Sequence, residues 1–530
     1  MEDILKREKW LFILFAVVAF ALNSCQLFVD DDDDGSSEAQ TSTTEAPIAE
    51  ATLAFSTDAK SLNIVPMNES ITLSAEVSAN TVSYQWYESS DGTTANASAI
   101  QGATGTSFEV PAATSRGIRY YYCTATTAET KINSSVATVV CTGLPVVQID
   151  TVDSEEPTAD QVSPPAGCYG AGLKNATKVP ARMRLHNAGT IVYDSGEYVK
   201  KESGLTIKLR GNTSAYGAKK PYKLKLQKKA DLLSTLNNRS DSKYQDKDWI
   251  LLKDGTSLNT FVGMSVADIA GTSWTPEFAY VNVVINGDYR GIYMLIEAIS
   301  RGEKRADVSK NGYIIERDAY WWNEDVKFIT NLNQKYTFKY PDEEDITDAQ
   351  LEYIKNYMNT LEENVQTGTY EDYLDTESFA RWQLIHDILG TLDSGGSNIY
   401  MTKYDNTESS KIIMSTPWDF DSNYRMTNAW SNVHNTNRIY SKLMFESETK
   451  TFINSYKSQW QTLSSSLWTE LYTKLIELQN EFGDDINLSR QVDAVRWSIS
   501  SYSTVQDNIS TAQSWFTSRI SWLDSAINAL

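Results

Sequence analysis

The sequence predicts an α+β protein in two folded parts, a β-sandwich over residues 51–142 and a larger domain over 143–530 whose strands precede its helices. Three patterns predict it. Residues 71–140 break into short alternating segments divided by turn-rich stretches, residues 206–296 hold longer runs of two-residue periodicity, and from Leu351 onward apolar residues recur at helical spacing. At 530 residues, with 41% hydrophobic and 11% aromatic content, the chain has material for more than one core.

The first residues set a compartment. Lys6, Arg7 and Lys9 precede an apolar run from Trp10 to Leu22, too short for a membrane span and suited to a signal peptide over 1–24. The run ends in Leu22-Asn23-Ser24-Cys25, which resembles a bacterial lipobox, and that resemblance implies acylation of Cys25 and a membrane held through lipid alone. Residues 25–50, with five acids from Asp30 to Asp34 and then Ser, Thr, Glu and Ala, read as a tether. Similar acidic tracts accompany surface display in some diderm lipoproteins, so the expected location is exported, at the outer membrane or cell surface. Three further cysteines, Cys123, Cys141 and Cys168, make neither a disulfide scaffold nor a zinc spacing, and the three histidines, His186, His386 and His434, stand far apart. Carboxylate chemistry is therefore favoured over histidine-centred chemistry.

Within 51–142 the strands expected are Ile71–Val77, Val82–Tyr87, Ser107–Val110, Tyr120–Thr126 and Ser134–Val140. Trp86 in "YQWY" and the "YYYC" ending at Cys123 resemble bacterial immunoglobulin-like domains, and Tyr121 has the spacing of a tyrosine corner. Ala75 stands where a partner cysteine is expected, so burial around Trp86 replaces the intersheet disulfide.

The formal charge of −22 excludes a general polyanion binder and leaves nucleic acid out of the expected partners. One island departs from it: from Lys200 to Lys229 there are ten Lys or Arg against one acid, Glu202. In "GLTIKLRGNTSAYGAKKPYKLKL", Ile207 and Leu209 alternate with Lys208 and Arg210, and Leu224 and Leu226 with Lys223 and Lys225. On two strands this separates an apolar face from a cationic one, and the loop Gly211–Gly217 between them has small residues whose backbone N–H groups can approach phosphate. Further on, Asn286-Gly287 suits a two-residue hairpin turn. Leu351, Ile354, Met358 and Leu361 predict one helix, and Phe379–Leu389 a second, capped by Asp375 or Thr376. His386 on that second helix is expected to be a packed side chain.

The segment after the second helix carries the chemistry. Asp393 is followed by Asn398, a hairpin of Ile399–Tyr404 and Lys411–Ser415, then Asp419-Phe420-Asp421. Helix, Asp-x4-Asn, two short strands and Asp-Phe-acid is the order in protein kinases, where the first Asp takes the proton of the substrate hydroxyl and the Asn and second Asp hold magnesium. Hard magnesium takes oxygen ligands, and phosphoryl transfer needs positioning and charge neutralisation. The His-Arg before the first Asp and the Gly after the Phe are missing.

Together "RGNTS…KKPYKLKL", "DWILLKDGTSLNTFVG", "YVNVVINGDYRGIYMLIEAI", "NIYM", "PWDFD" and "WFTSRISWLDSAI" resemble the CotH (spore coat protein H) family of atypical kinases, from about Leu144 through the helical tail. The resemblance implies a two-lobed kinase-like fold, β-rich then helical, that uses ATP and Mg2+ to phosphorylate Ser or Thr of a protein substrate. It implies Asp393 as catalytic base, Asn398 and Asp419 as metal ligands with Asp421 beside them, and Arg210, Asn212, Lys220, Lys223 and Lys225 as the phosphate-binding set. Glu297, closing "YMLIEAI", is the candidate to orient the phosphate-binding lysine by an ion pair. The alternative is a non-catalytic surface or adhesion lipoprotein using both modules for recognition.

Overall fold

A computed structural model describes residues 53–79, 81–236, 244–253, 255–433, 441–445 and 450–530. The signal peptide, Cys25, the tether and His434 lie outside the described residues. Leu53–Leu530 forms one compact unit. Among the described residues no helix is long and apolar enough to cross a membrane.

The first module is a β-sandwich of the immunoglobulin-like kind. One sheet runs in the order Leu62–Pro66, Ala137–Thr142, Gly117–Thr126, Ser83–Ser89, Ala97–Ala99, with Lys131–Asn133 beside Gly117–Thr126; the other layer pairs Ile71–Ser74 with Ser107–Val110. Inward positions of both layers meet around Trp86, with Leu73, Ala75, Val110, Cys123 and Val139 packed against it. Trp86 and Ala75 have no exposed surface, and Cys123 is a free thiol. Cys141 and Cys168 are free as well. The tyrosine-corner expectation is corrected: the Tyr121 hydroxyl donates to the Glu88 side chain at 3.1 Å, because Glu88 lies directly across the strand pair and supplies a stronger acceptor than a backbone carbonyl.

Next comes a sheet of eight strands, ordered Val146–Thr151, Phe278–Ile285, Asp288–Glu297, Asp246–Leu252, Tyr222–Ala230, Leu205–Leu209, Val179–Asn187, Thr190–Asp194. Val146–Thr151 pairs parallel with Phe278–Ile285 and antiparallel with Val179–Asn187, which closes the sheet into a barrel. Alternate residues fill the interior, among them Ile207, Leu209, Leu224, Leu226, Trp249 and Leu251. The turn at Asn286-Gly287 has φ of 51° and 72°, the left-handed pair that a two-residue hairpin needs.

Ile250, Ile292, Met294 and Ile296 point outward from the barrel into a second core shared with the helices. A five-stranded sheet (Lys327–Ile329, Lys335–Tyr340, Tyr313–Arg317, Ile399–Lys403, Ile412–Met414) belongs to this helical lobe. Helix Asp348–Thr367 starts in a capping box between Thr347 and Gln350, and helix Thr376–Leu389 starts where the Asp375 side chain accepts from Ser378 N at 2.8 Å. Helices Thr451–Leu463, Leu467–Arg496 and Val505–Asn528 complete the lobe, burying Tyr456, Leu471, Leu475 and Phe516.

Candidate active site

The cationic strand face forms as its alternation predicts. Strands Leu205–Leu209 and Tyr222–Ala230 pair antiparallel, with Ile207 opposite Leu224 inside the barrel and Lys208 opposite Lys223 outside. Burial is the main force lowering the Lys208 ammonium's pKa, reinforced by Lys223 and Lys178 and opposed by Glu324 and Glu343. The Lys208 ammonium makes no hydrogen bond or ion pair among the described residues. Lys223 pairs with Asp248 of the next strand at 3.0 Å. The loop after Leu209 is tied down through its carbonyls: Lys253 donates to Ser214 O and Lys220 to Ala215 O.

The opposing wall comes from loops and strand ends of the helical lobe. Asn398 and Asp419 both have left-handed backbones, φ 59° and 64°, a region that Asn and Asp enter most readily among non-glycine residues. This brings their side chains together, Asn398 Nδ2 donating to Asp419 Oδ2 at 2.9 Å. Phe420 is fully buried against helix Asn259–Ile269, where a Cβ on Gly263 would stand 2.1 Å from its ring. The same helix start is stitched to the segment by Asn259 Nδ2 donating to Asp421 O and Asn423 Nδ2 to Asn259 O, both at 3.1 Å. His386 stacks on Phe420 at 6.1 Å and bonds Thr391 Oγ1 at 3.1 Å; burial lowers its pKa to about 4, so it is neutral, as a packed histidine should be. Asp393 is exposed, with its N–H donating to Ser422 Oγ at 2.9 Å. Desolvation, then the Asp393 carboxylate, raises the Asp421 carboxyl above the usual range.

Between the walls lies a cleft of about 1650 Å3, reached by Arg210, Asn212, Lys223, Lys225, Asp393, Asn398, Asp419 and Asp421. Two predicted residues stand elsewhere. Lys220 is outside the cleft lining because its ammonium is spent on the Ala215 carbonyl. Glu297 does not orient a lysine: it is buried, pairs with Arg305 at 3.2 Å and accepts from Glu277 N at 3.0 Å. Its position at the far end of strand Asp288–Glu297 faces it toward the Arg305 loop; desolvation raises its carboxyl to about 7. The lysine's carboxylate partner is Asp248, on the adjacent strand.

Sequence reasoning also passed over several lining residues. Lys208 was on the cationic face by parity, and its signal was that parity. Lys219 and Asp493, and the group Glu316, Asp318 and Lys339, also line the cleft. Burial, then Glu316, lifts the Asp318 carboxyl to about 7, and Lys339 sits 2.8 Å from Glu316. No periodicity marks these, since each depends on which element lies across the cleft.

Among the described residues no three His, Cys, Asp or Glu side chains are grouped to hold a metal ion. Magnesium rarely needs such a cage, since one or two carboxylates and substrate phosphates complete its shell. The oxygen set of Asp419, Asn398 and Asp421 facing an ammonium-lined wall fits that mode.

A β-rich lobe and a helical lobe enclosing a cleft with cations on one side and an Asp-x4-Asn, Asp-Phe-Asp set on the other define a kinase-like domain. A family model described as "CotH kinase protein" matches residues 207–523, more than half of the chain, and the chain belongs to the CotH family. No curated protein matches. Among solved structures, the N-terminal four Ig domains of Dscam1 isoform 8.4 match at 14% identity over 28% of this chain and 40% of that one, with a TM-score of 0.14. Isoform 4.44 matches at 14% identity over 30% and 42%, with a TM-score of 0.15. The chain spans less than half of these structures, and at such scores the likeness carries no argument; the immunoglobulin-like assignment stands on the sandwich itself.

Proposed function

We propose that this CotH-family protein is a protein kinase that transfers the γ-phosphoryl group of Mg-ATP to Ser or Thr hydroxyls of an envelope or surface protein. The observation that carries the reading is one cleft lined on one side by Lys208, Arg210, Lys223 and Lys225 and on the other by Asp393, Asn398, Asp419 and Asp421. On this reading the cationic strands bind the triphosphate, and Lys208, whose ammonium has no hydrogen bond or ion pair among the described residues, takes a phosphate oxygen. Asn398 and Asp419 would hold Mg2+, whose charge would offset that of the phosphate oxygens. Asp393, exposed at the cleft and fixed through its backbone to Ser422, accepts the proton of the attacking hydroxyl. We further propose export and anchoring through an acylated Cys25; Cys25→Ser should then move the protein from the membrane fraction to the soluble one.

The test is ATP binding and transfer by the chain that begins at Cys25, with and without Mg2+. Asp419→Ala should lose the metal-dependent part of binding and all transfer. Asp393→Ala should still bind ATP and lose about 10²- to 10⁴-fold in kcat. Equal labelling by wild type and Asp419→Ala would sink the metal assignment, and absence of nucleotide binding by wild type would favour a recognition module.

A further inference from the structure

Helix Leu467–Arg496 is gripped at two places a short way apart. The sandwich and the strand leading out of it hold the first. Gly143 N donates to Asp485 Oδ1 at 2.8 Å, Arg116 Nε stands 3.2 Å from the same atom, and Leu488 and Val492 pack with Leu62, Ile64, Ile118 and Val140. At the second, one residue beyond Val492, Asp493 reaches the cleft. Its carboxylate has no exposed surface, and Oδ1 accepts from Lys219 Nζ at 2.7 Å and from Ile292 N at 3.2 Å. The strand is cut away to admit it: at Gly291, with φ +113°, a Cβ would stand 1.8 Å from that oxygen. Lys219 also donates to Ile292 O at 2.7 Å and lies over the Tyr293 ring at 4.8 Å, while the Tyr293 hydroxyl donates to Lys220 O at 2.7 Å.

The stretch beginning at Gly211 therefore ends in a buried ion pair with a helix that the sandwich clamps. A buried pair has no water to fall back on, so removing one partner strands the other charge. The two grips, at Asp485 and Asp493, are eight residues apart, roughly 12 Å along the helix at 1.5 Å per residue, and a rigid element of that length transmits displacement. We propose that Asp493 is a positioning residue for the loop 211–220, and that the docked sandwich holds the nucleotide side of the cleft in register through this helix. The proposal rests on the kinase reading only for what the loop binds.

The test uses the chain from Cys25 onward, with amide hydrogen exchange of residues 211–220, melting temperature and Mg-dependent ATP binding. Asp493→Asn should speed loop exchange at least tenfold and weaken ATP binding by a similar factor. Arg116→Glu, which sets a repulsive charge against Asp484 and Asp485 on the sandwich side, should do both about threefold. The double variant Lys219→Met/Asp493→Leu, which replaces the pair by apolar groups, should regain melting temperature without regaining loop protection or affinity. Recovery of affinity together with melting temperature would overturn the positioning role, as would unchanged loop exchange in Asp493→Asn. Wild-type loop behaviour in Arg116→Glu would remove the sandwich from the proposal. Faster loop exchange in a protein whose wild type binds no ATP would uphold the latch and overturn the kinase reading.

Discussion

The two walls of the cleft are built by different means. The cationic wall is a β-ladder: Lys208, Lys223 and Lys225 are set by the register of two strands whose other faces fill the barrel, so each lysine's direction follows from its parity. The carboxylate wall has no ladder at Asp393, Asn398 or Asp419. It is assembled from left-handed turns, side-chain bonds and one buried ring, Phe420, seated on Gly263. A ladder tolerates the loss of one outward side chain, whereas a wall made of turns depends on each contact that holds it.

Titration probes this contrast most strongly. The folded Asp318 carboxyl is raised from 3.8 to about 7, chiefly by burial. The folded state then binds this proton more tightly than the unfolded chain, so its contribution to stability is full below pH 4 and is lost as pH rises to 7. At 1.36 kcal/mol per pH unit the loss is at most about 4 kcal/mol. Asp318→Asn keeps an acceptor for Tyr320 N and Ser397 Oγ, and should flatten the dependence of melting temperature on pH between 4 and 7. An unchanged slope would show that Asp318 ionises at an ordinary value.

Steric pressure on the turn-built wall comes next. Gly263→Ala should cost about 1–3 kcal/mol, because the new methyl enters the Phe420 ring space, and should lower melting temperature and transfer together. A ladder residue should behave otherwise. Lys208→Met should weaken ATP binding about tenfold, the value of a modest charge-assisted hydrogen bond, with melting temperature held or raised. Lys225→Ala, at an exposed position, should change binding by less than about threefold. If Lys225 proved the more costly of the two, calorimetric titration with ATP would reverse the order of the lysines along the wall.

Much of this arrangement was legible from local pattern. Alternation from Ile207 to Lys225 separated barrel interior from cleft, Asn286-Gly287 marked its hairpin, Asp375 or Thr376 its helix start, and the order Asp393, Asn398, Asp419, Asp421 the opposing wall. Lys220 was placed by the family's basic motif and Glu297 by analogy with the kinase glutamate, and neither a motif nor an analogy reports what a side chain meets once the chain folds. Lys220 meets the carbonyl of Ala215, and Glu297 meets Arg305. Tyr121 followed the same course when its hydroxyl found Glu88.

Sequence alone determined the kinds of group this protein brings to its cleft and the strands, turns and caps that carry them, because propensity, parity and capping act over a few neighbouring residues. Tertiary structure decided the pairing of Val146–Thr151 that closes the barrel, the choice of Asp248 for Lys223, and the passage of Asp493 through the gap at Gly291 to Lys219. Those contacts join residues far apart in the chain, and the burial that makes them strong exists only once both lobes and the sandwich have packed.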